Sequence, residues 1–122
     1  MPSYLVMPES KLFALEISDL YIALKQHEKS FKILNELSQK YPRDTRIWDL
    51  LQRAEVLKTN EFTPINVLRY KAESQFWSGY ESDAIISLLH ASRLAKKTNN
   101  QFLQEKIEYR VKQMQDTREL KL

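Results

Sequence analysis

Apolar and polar residues follow one another along this chain with the period of an α-helix. In each segment the apolar positions recur three or four residues apart, which places them on one side of a helix. Phe31, Leu34 and Leu37 show this spacing in the second segment. No strand is predicted. The pattern predicts six helices, at about residues 8–24, 28–40, 45–58, 63–79, 81–97 and 101–119.

Proline, glycine and small polar residues mark the predicted helix ends. Pro42 ends the second helix, because the residue before a proline leaves the helical region, and Asp44 can cap the third helix. Thr63 and Pro64 predict the start of the fourth, with a capping threonine and a proline in the first helical position. Gly79 is the only glycine, and it lies where a helix ends in a left-handed residue.

The first predicted helix is apolar around much of its circumference. We therefore expect it to be buried on more than one side. The residues that give it this character are Leu12, Phe13, Leu15, Ile17, Leu20, Tyr21 and Ala23.

Trp48 suggests a repeat register. If it takes position 4 of a 34-residue tetratricopeptide unit, that unit starts at Thr45 and the previous one at Lys11. Large, small, aromatic and proline residues then fall where this repeat has them: Ile17, Ser18, Tyr21, Ser30, Leu34 and Pro42. The chain is thus predicted to be an all-α, tetratricopeptide-like solenoid of about six antiparallel helices.

One repeat is irregular. A third frame starts near Ile65, only 20 residues after Thr45. We expect a local distortion around residues 59–64, and a final helix that closes the exposed apolar end of the array. Residues 9–122 are interpreted as a single domain, and residues 1–8 as a lead-in or a cloning remnant.

Composition argues against an enzyme. The chain has no cysteine, which excludes disulfides, thiolate nucleophiles and cysteine-bound zinc. Its two histidines, His27 and His90, form no His-Glu-x-x-His pair, and one glycine cannot make a phosphate-binding loop. No apolar run is long enough to span a membrane. We predict no catalytic residue, no metal site and no cofactor.

The charge is uneven along the chain. Residues 93–122 carry eight basic and four acidic side chains, within a total net charge of +3. We interpret this bias as the solvated face of the last helix. The alternative is a surface that binds nucleic acid or lipid, and a steep salt dependence of binding would favour it.

A partner-binding groove is predicted on the first helices of the repeats. In tetratricopeptide arrays these helices line a concave face, where charged residues orient a partner and aromatic residues anchor it. The alternative for Phe76 and Trp77 is that they pack in the core. The predicted groove residues are Arg46, Asp49, Arg53, Arg69, Glu73, Phe76 and Trp77.

Several motifs together resemble a known family. They are Pro42-Arg43-Asp44, Trp48-Asp49-Leu50-Leu51-Gln52-Arg53-Ala54-Glu55, Tyr70-Lys71-Ala72-Glu73, Gly79-Tyr80-Glu81-Ser82-Asp83-Ala84-Ile85, Ser87-Leu88-Leu89, Ala91-Ser92 and Gln104-Glu105-Lys106-Ile107-Glu108-Tyr109-Arg110. Their order resembles the C-terminal tetratricopeptide region of bacterial periplasmic zinc metalloproteases of the β-barrel assembly-enhancing type. The likeness extends over roughly residues 10–119, and includes the short offset between the second and third frames.

The resemblance implies a docking role in the periplasm. In that family an N-terminal domain performs proteolysis, and the repeat domain packs against it and docks on the outer-membrane assembly machinery. This chain would be the non-catalytic repeat domain, and no catalytic residue carries over to it. The alternative is a free-standing tetratricopeptide adaptor, in the cytoplasm, that binds a peptide or protein in its concave groove.

Overall fold

The computed structural model describes residues 8–120, with side chains described for residues 10–117. Over this range the chain forms six α-helices and no strand, which confirms the predicted all-α class. The helices are α1 (Pro8–Ala23), α2 (His27–Lys40), α3 (Thr45–Val56), α4 (Thr63–Trp77), α5 (Glu81–Lys97) and α6 (Gln101–Leu120). The predicted lead-in lies outside the described residues, except that Pro8 already belongs to α1.

The cap of α3 follows the prediction, whereas that of α4 does not, although α4 begins at Thr63 as predicted. Asp44 caps α3, because its side chain accepts a hydrogen bond of 3.1 Å from the backbone N–H of Arg46. Thr63 is not a cap but the first residue of α4. Its hydroxyl instead accepts from the backbone N–H of Asn60 at 3.1 Å, while the Asn60 side chain accepts from Phe62 at 2.9 Å. Side chains of the loop thus satisfy the loop's own backbone.

Three helices end in the same tight turn. At the end of α4, Gly79 has a φ of 93°, and the backbone N–H of Tyr80 reaches back to the carbonyl of Gln75 at 2.8 Å. This is a Schellman motif, and it confirms the predicted role of Gly79. Lys25 and Asn99 take the left-handed position after α1 and α5, with φ of 59° and 57°. The chain therefore reverses within three residues at each of these ends.

The longest connection lies between α3 and α4. Helix α3 ends at Val56, two residues before the predicted end at residue 58. The backbone of Thr59 turns left-handed, with a φ of 48°, so the helix cannot continue through it. The loop of residues 57–62 coincides with most of the segment where the repeat register predicted a distortion.

Each helix packs against its neighbours in the chain, and α1 also packs against α3. The buried apolar residues form two clusters. The first combines α1, α2 and α3 around residues such as Leu34, Leu37, Ile47 and Leu51. The second combines α4, α5 and α6 around Ile65, Leu88, Ile107 and Met114.

The two clusters meet where α3 packs on α4. The rings of Trp48 and Tyr70 stack there, with centroids 6.3 Å apart and an angle of 27° between their planes. Nearby, the Ser74 hydroxyl donates to the Asp49 carboxylate at 2.9 Å. This stack and this hydrogen bond join the two halves of the molecule, together with a hydrogen bond of 3.5 Å that the Thr63 hydroxyl donates to the Glu55 carboxylate.

Helix α1 is buried on one side only, so the expectation of burial on several sides is wrong. Leu15 and Ile22 lie in the first cluster, whereas Leu12, Phe13 and Leu20 are at least half exposed. Within the described part of the chain α1 makes extended contacts with α2 and α3 alone. None of the other five described helices therefore covers its outer apolar side.

Candidate partner-binding concavity

A concavity of about 760 Å³ lies between the helices of the two clusters. Helices α4 and α6 supply most of its lining, and single residues come from α2, α3 and α5. The lining residues are Gln39, Trp48, Arg69, Tyr70, Glu73, Leu88, Lys106, Ile107, Tyr109, Arg110 and Gln113.

Helical spacing explains why α6 presents a polar and aromatic stripe to this space. Its buried residues Ile107, Val111 and Met114 recur every three or four positions and pack into the second cluster. The next stripe around the helix contains Lys106, Tyr109, Arg110 and Gln113. When the apolar stripe packs into the second cluster, this adjacent stripe lies beside the cluster and borders the concavity.

A two-point ion pair joins α4 to α6 within the concavity. The Arg110 guanidinium donates to both carboxylate oxygens of Glu73, at 2.7 Å from Nε and 2.8 Å from the terminal nitrogen. The Glu73 side chain is only 14% exposed. The guanidinium also lies 5.4 Å from the centre of the Phe76 ring. This geometry fixes the two helices and neutralises the one acidic residue of the lining.

Aromatic side chains give the concavity its apolar surface. The indole N–H of Trp48 donates to the carbonyl of Pro42 at 2.7 Å, which holds the ring in place against Tyr70. Burial, and to a lesser degree the negative charge of Glu55, raises the pKa of the Tyr70 hydroxyl above its usual value. That hydroxyl is therefore protonated at neutral pH. Tyr109 is 65% exposed and is free to contact a partner.

The predicted groove residues do not come together in one place. Arg69 and Glu73 line the concavity. A separate groove of about 360 Å³ between α1 and α3 contains Arg46, Asp49 and Arg53. Their charges are engaged within the chain, since Arg46 binds Asp44 at 2.7 Å, Arg53 binds Asp19 at 2.9 Å and Asp49 accepts from Ser74 at 2.9 Å.

The two predicted aromatic anchors lie elsewhere. Phe76 is only 6% exposed and belongs to the second core cluster. The prediction that it lines a groove is therefore wrong, and the alternative of core packing applies. The side of α4 that carries it faces the core, because Ala72, one turn earlier, is also buried there. Trp77 is half-buried, with its ring edge-on to Phe76 at 4.9 Å and the Arg43 guanidinium 5.8 Å from its centre.

Of the eleven lining residues, sequence reasoning missed nine, and the four most relevant to binding are Trp48, Lys106, Tyr109 and Arg110. Trp48 was assigned to the repeat register, and α6 was assigned to closing the array. The signal was present in the 3–4 spacing of the stripe that begins at Lys106, immediately beside the apolar stripe of α6. Which of the two sides of α6 borders free space depends on how α4, α5 and α6 pack.

The residues that the structure describes also bear on metal binding, membrane spanning and the role of the two histidines. They contain no group of three or more histidine, aspartate or glutamate side chains placed to hold a metal ion. None of the six described helices has both the length and the apolar character needed to cross a bilayer. His27 packs edge-on against Phe31 at 6.4 Å, and His90 is exposed on α5.

Comparison with known proteins gives no relative: no family model, no curated protein and no solved structure matches this chain.

Proposed function

We propose that this chain is a non-catalytic docking module, a tetratricopeptide-like domain that binds a segment of a protein partner. The observation that carries the proposal is the concavity between α4 and α6, in which Tyr109, Arg69 and Lys106 are accessible beside the Trp48–Tyr70 stack. Aromatic and arginine side chains supply most of the binding free energy in protein interfaces.

The helix arrangement supports the repeat interpretation. Short loops connect successive helices, and α1 packs on α3 as the first helices of two successive repeats would. The register is broken at residues 57–62, so the third frame starts early. In this interpretation the concavity arises where α4 and α6 act as successive first helices around α5.

The concavity fits a short peptide segment better than a broad protein surface. Its volume of about 760 Å³ lies within the usual range of ligand-binding pockets. The Glu73–Arg110 ion pair and the Trp48 hydrogen bond hold the lining in place before a partner arrives. Such preorganisation reduces the entropy lost on binding.

A peptide selection tests this function. Random peptides displayed on phage are selected against the wild-type chain, and their affinities are then measured by fluorescence anisotropy. We expect Tyr109→Ala to weaken the selected peptides about tenfold or more, because it removes an exposed anchor. Because Tyr109 is 65% exposed, its removal should not disturb the fold. Circular dichroism of the Tyr109→Ala variant checks that its helix content is unchanged.

Lys71→Ala is the matched control for a change in the concavity. Lys71 is exposed on α4 but does not line the concavity. The Lys71→Ala variant should bind the selected peptides as tightly as the wild type does. Peptides that bind equally well to Tyr109→Ala would place the interaction on another surface and refute the proposed site.

The wider context is proposed from the resemblance to periplasmic metalloproteases. The module would then dock such a protease on the outer-membrane assembly machinery, and its partners would include the protease domain itself. The alternative remains a free-standing adaptor. An immunoblot of cell fractions separates them: a periplasmic band several times heavier than 14.5 kDa supports the protease, and a cytoplasmic band at 14.5 kDa supports the adaptor.

A further inference from the structure

Two further charged residues of the concavity, Arg69 and Lys106, lie one helical turn away from the Glu73–Arg110 ion pair. The loops before and after α5 each contain three residues, so the chain reverses twice and α4 and α6 run in the same direction. Glu73 and Arg110 are level with each other, because they are hydrogen-bonded. The residues four positions earlier, Arg69 and Lys106, must therefore also be level, about 6 Å further along both helices.

At this height along α4 and α6 the concavity is lined by two cations, Arg69 and Lys106, and its one acidic lining residue, Glu73, lies a helical turn away. Arg69 donates to the neutral Asn66 side chain at 3.1 Å. Neither Arg69 nor Lys106 forms an ion pair with any of the described acidic residues. Glu73 lines the same concavity, but Arg110 already neutralises it with two hydrogen bonds. Two like charges that border one concavity are unfavourable until an anion is bound between them.

The surroundings of the cation pair are apolar and aromatic. The stack of Trp48 on Tyr70 and the exposed ring of Tyr109 line the same concavity. A carboxylate bound here is thus partly removed from water, where a charge-assisted hydrogen bond is stronger than at an open surface. An apolar neighbour of that carboxylate would meet the aromatic rings.

We propose that the concavity selects a peptide segment in which an acidic side chain lies beside an aromatic or large apolar one. The carboxylate binds between Arg69 and Lys106, and the apolar side chain packs against Tyr109 and the Trp48–Tyr70 stack. This inference rests on the proposed function, since it names the class of segment that the same concavity takes.

A peptide carboxylate fits this site better than a nucleic-acid strand. A strand is bound through a row of cations that follows its phosphates. The basic residues Arg93, Lys96 and Lys97 of the C-terminal segment lie on α5 and do not line the concavity. Arg69 and Lys106, which form no ion pair with the described acidic residues, lie beside an acid that Arg110 neutralises, and this arrangement matches one or two carboxylates.

The test compares three forms of the whole chain in the same phage selection. The wild type is set against Arg69→Gln/Lys106→Gln and against the control Lys71→Gln/Lys112→Gln. The control removes the same charge from α4 and α6 at exposed positions outside the concavity. We expect aspartate and glutamate to be enriched in peptides selected by the wild type and by the control, and not in those selected by Arg69→Gln/Lys106→Gln.

A double-mutant cycle then measures the contact directly. For a peptide selected by the wild type, replacing its acidic residue by the matching amide should weaken binding about tenfold, and should change binding to Arg69→Gln/Lys106→Gln by less than about twofold. Peptides that depend on Tyr109 but show neither acidic enrichment nor this coupling would refute the inference and leave the proposed function standing.

Two other results would overturn the proposal at different levels. If no selected peptide depends on Tyr109, the proposed function fails, and the inference fails with it. If oligothymidylate displaces the peptide from the wild type and binds at least as tightly, the occupant is a nucleic acid, and the choice of a peptide carboxylate is wrong.

Discussion

Four of the residues that the structure describes have a left-handed backbone, and only one of the four is glycine. They are Lys25, Thr59, Gly79 and Asn99, with φ between 48° and 93°. The left-handed region costs an L-residue roughly 1–2 kcal/mol, and a β-branched side chain such as threonine fits it worst. Each of these residues follows the end of a helix, so the strain allows the chain to turn back promptly.

A glycine substitution at a left-handed position that holds another residue should stabilise the protein. We expect Thr59→Gly to raise the free energy of unfolding by about 1 kcal/mol, because the relief of strain exceeds the added entropy of the unfolded chain. Gly79→Ala should lower it by about 1 kcal/mol. A Cβ at Gly79 would meet no atom within 4 Å, so the backbone conformation alone is responsible.

Urea denaturation followed by circular dichroism measures both changes. Ser78→Ala provides a control, since Ser78 is exposed and has an ordinary helical φ of −88°. A Thr59→Gly variant that is less stable than the wild type would show that the threonine side chain makes a contribution larger than its strain.

At the scale of a helix, the start of α3 depends on one carboxylate. Two hydrogen bonds from the Arg46 side chain, together with the Lys11 ammonium 3.0 Å away, lower the pKa of Asp44 from 3.8 to about 2, while partial burial acts in the opposite direction. The same carboxylate caps α3 and, through Lys11, ties α3 to α1.

The lowered pKa predicts a specific loss of stability in acid. The charged carboxylate favours the folded state, so its contribution is complete well above pH 3.8 and is lost as the pH falls from about 4 to about 2. Asp44→Asn keeps a capping oxygen but has no charge to lose. Its free energy of unfolding should therefore fall less than that of the wild type across this window, when both are measured by urea denaturation at successive pH values.

Asp116→Asn is the control for this experiment, because Asp116 is an exposed aspartate of another helix, α6. It should follow the wild-type pH dependence closely. Identical curves for Asp44→Asn and the wild type between pH 4 and pH 2 would contradict the assigned ion pair. At pH 7, Asp44→Ala should cost about 1 kcal/mol, the usual effect of losing a helix cap.

Helix boundaries were largely predictable because they depend on nearby residues. Pro42 and Asp44 mark the end of α2 and the start of α3, and Gly79 marks the end of α4. The side of a helix that meets solvent was less predictable. Phe13 and Phe76 are both apolar residues of helices, yet one is 57% exposed and the other 6% exposed. Periodicity defines a stripe, but the neighbouring helices decide whether that stripe is covered.

The candidate site was predictable only in part for the same reason. Arg69 and Glu73 were assigned to a groove, and they line the concavity. Lys106 and Arg110, which line the same concavity, come from α6, and Arg110 lies 37 residues after Glu73. No local pattern connects positions so far apart, and only the packing of α4, α5 and α6 brings them level.

Across the whole molecule, the core is divided between two groups of three helices. Leu51 belongs to the first cluster and Leu88 to the second, and both are almost fully buried. Contact between the groups passes through α3 and α4, where Trp48 stacks on Tyr70. Such an arrangement favours partial opening of one group while the other stays folded.

Hydrogen exchange should reveal this division. Leu51→Ala should destabilise the protein by about 2–5 kcal/mol and increase exchange mainly in α1, α2 and α3. Leu88→Ala should cost a similar amount and act mainly on α4, α5 and α6. Mass spectrometry of peptic fragments under native conditions gives the protection of each helix. Equal loss of protection in all six helices for both variants would mean that the core unfolds as one unit.

The exposed loop of residues 57–62 gives the chain a natural point of cleavage. A protease that cuts beside Asn60 or Glu61, both exposed, would divide neither core cluster. Each fragment would retain three helices, and the surfaces of α3 and α4 that hold them together would be unchanged. The protein is therefore suited to fragment complementation, in which two separately produced halves reassemble through the Trp48–Tyr70 contact and rebuild the concavity as they do so.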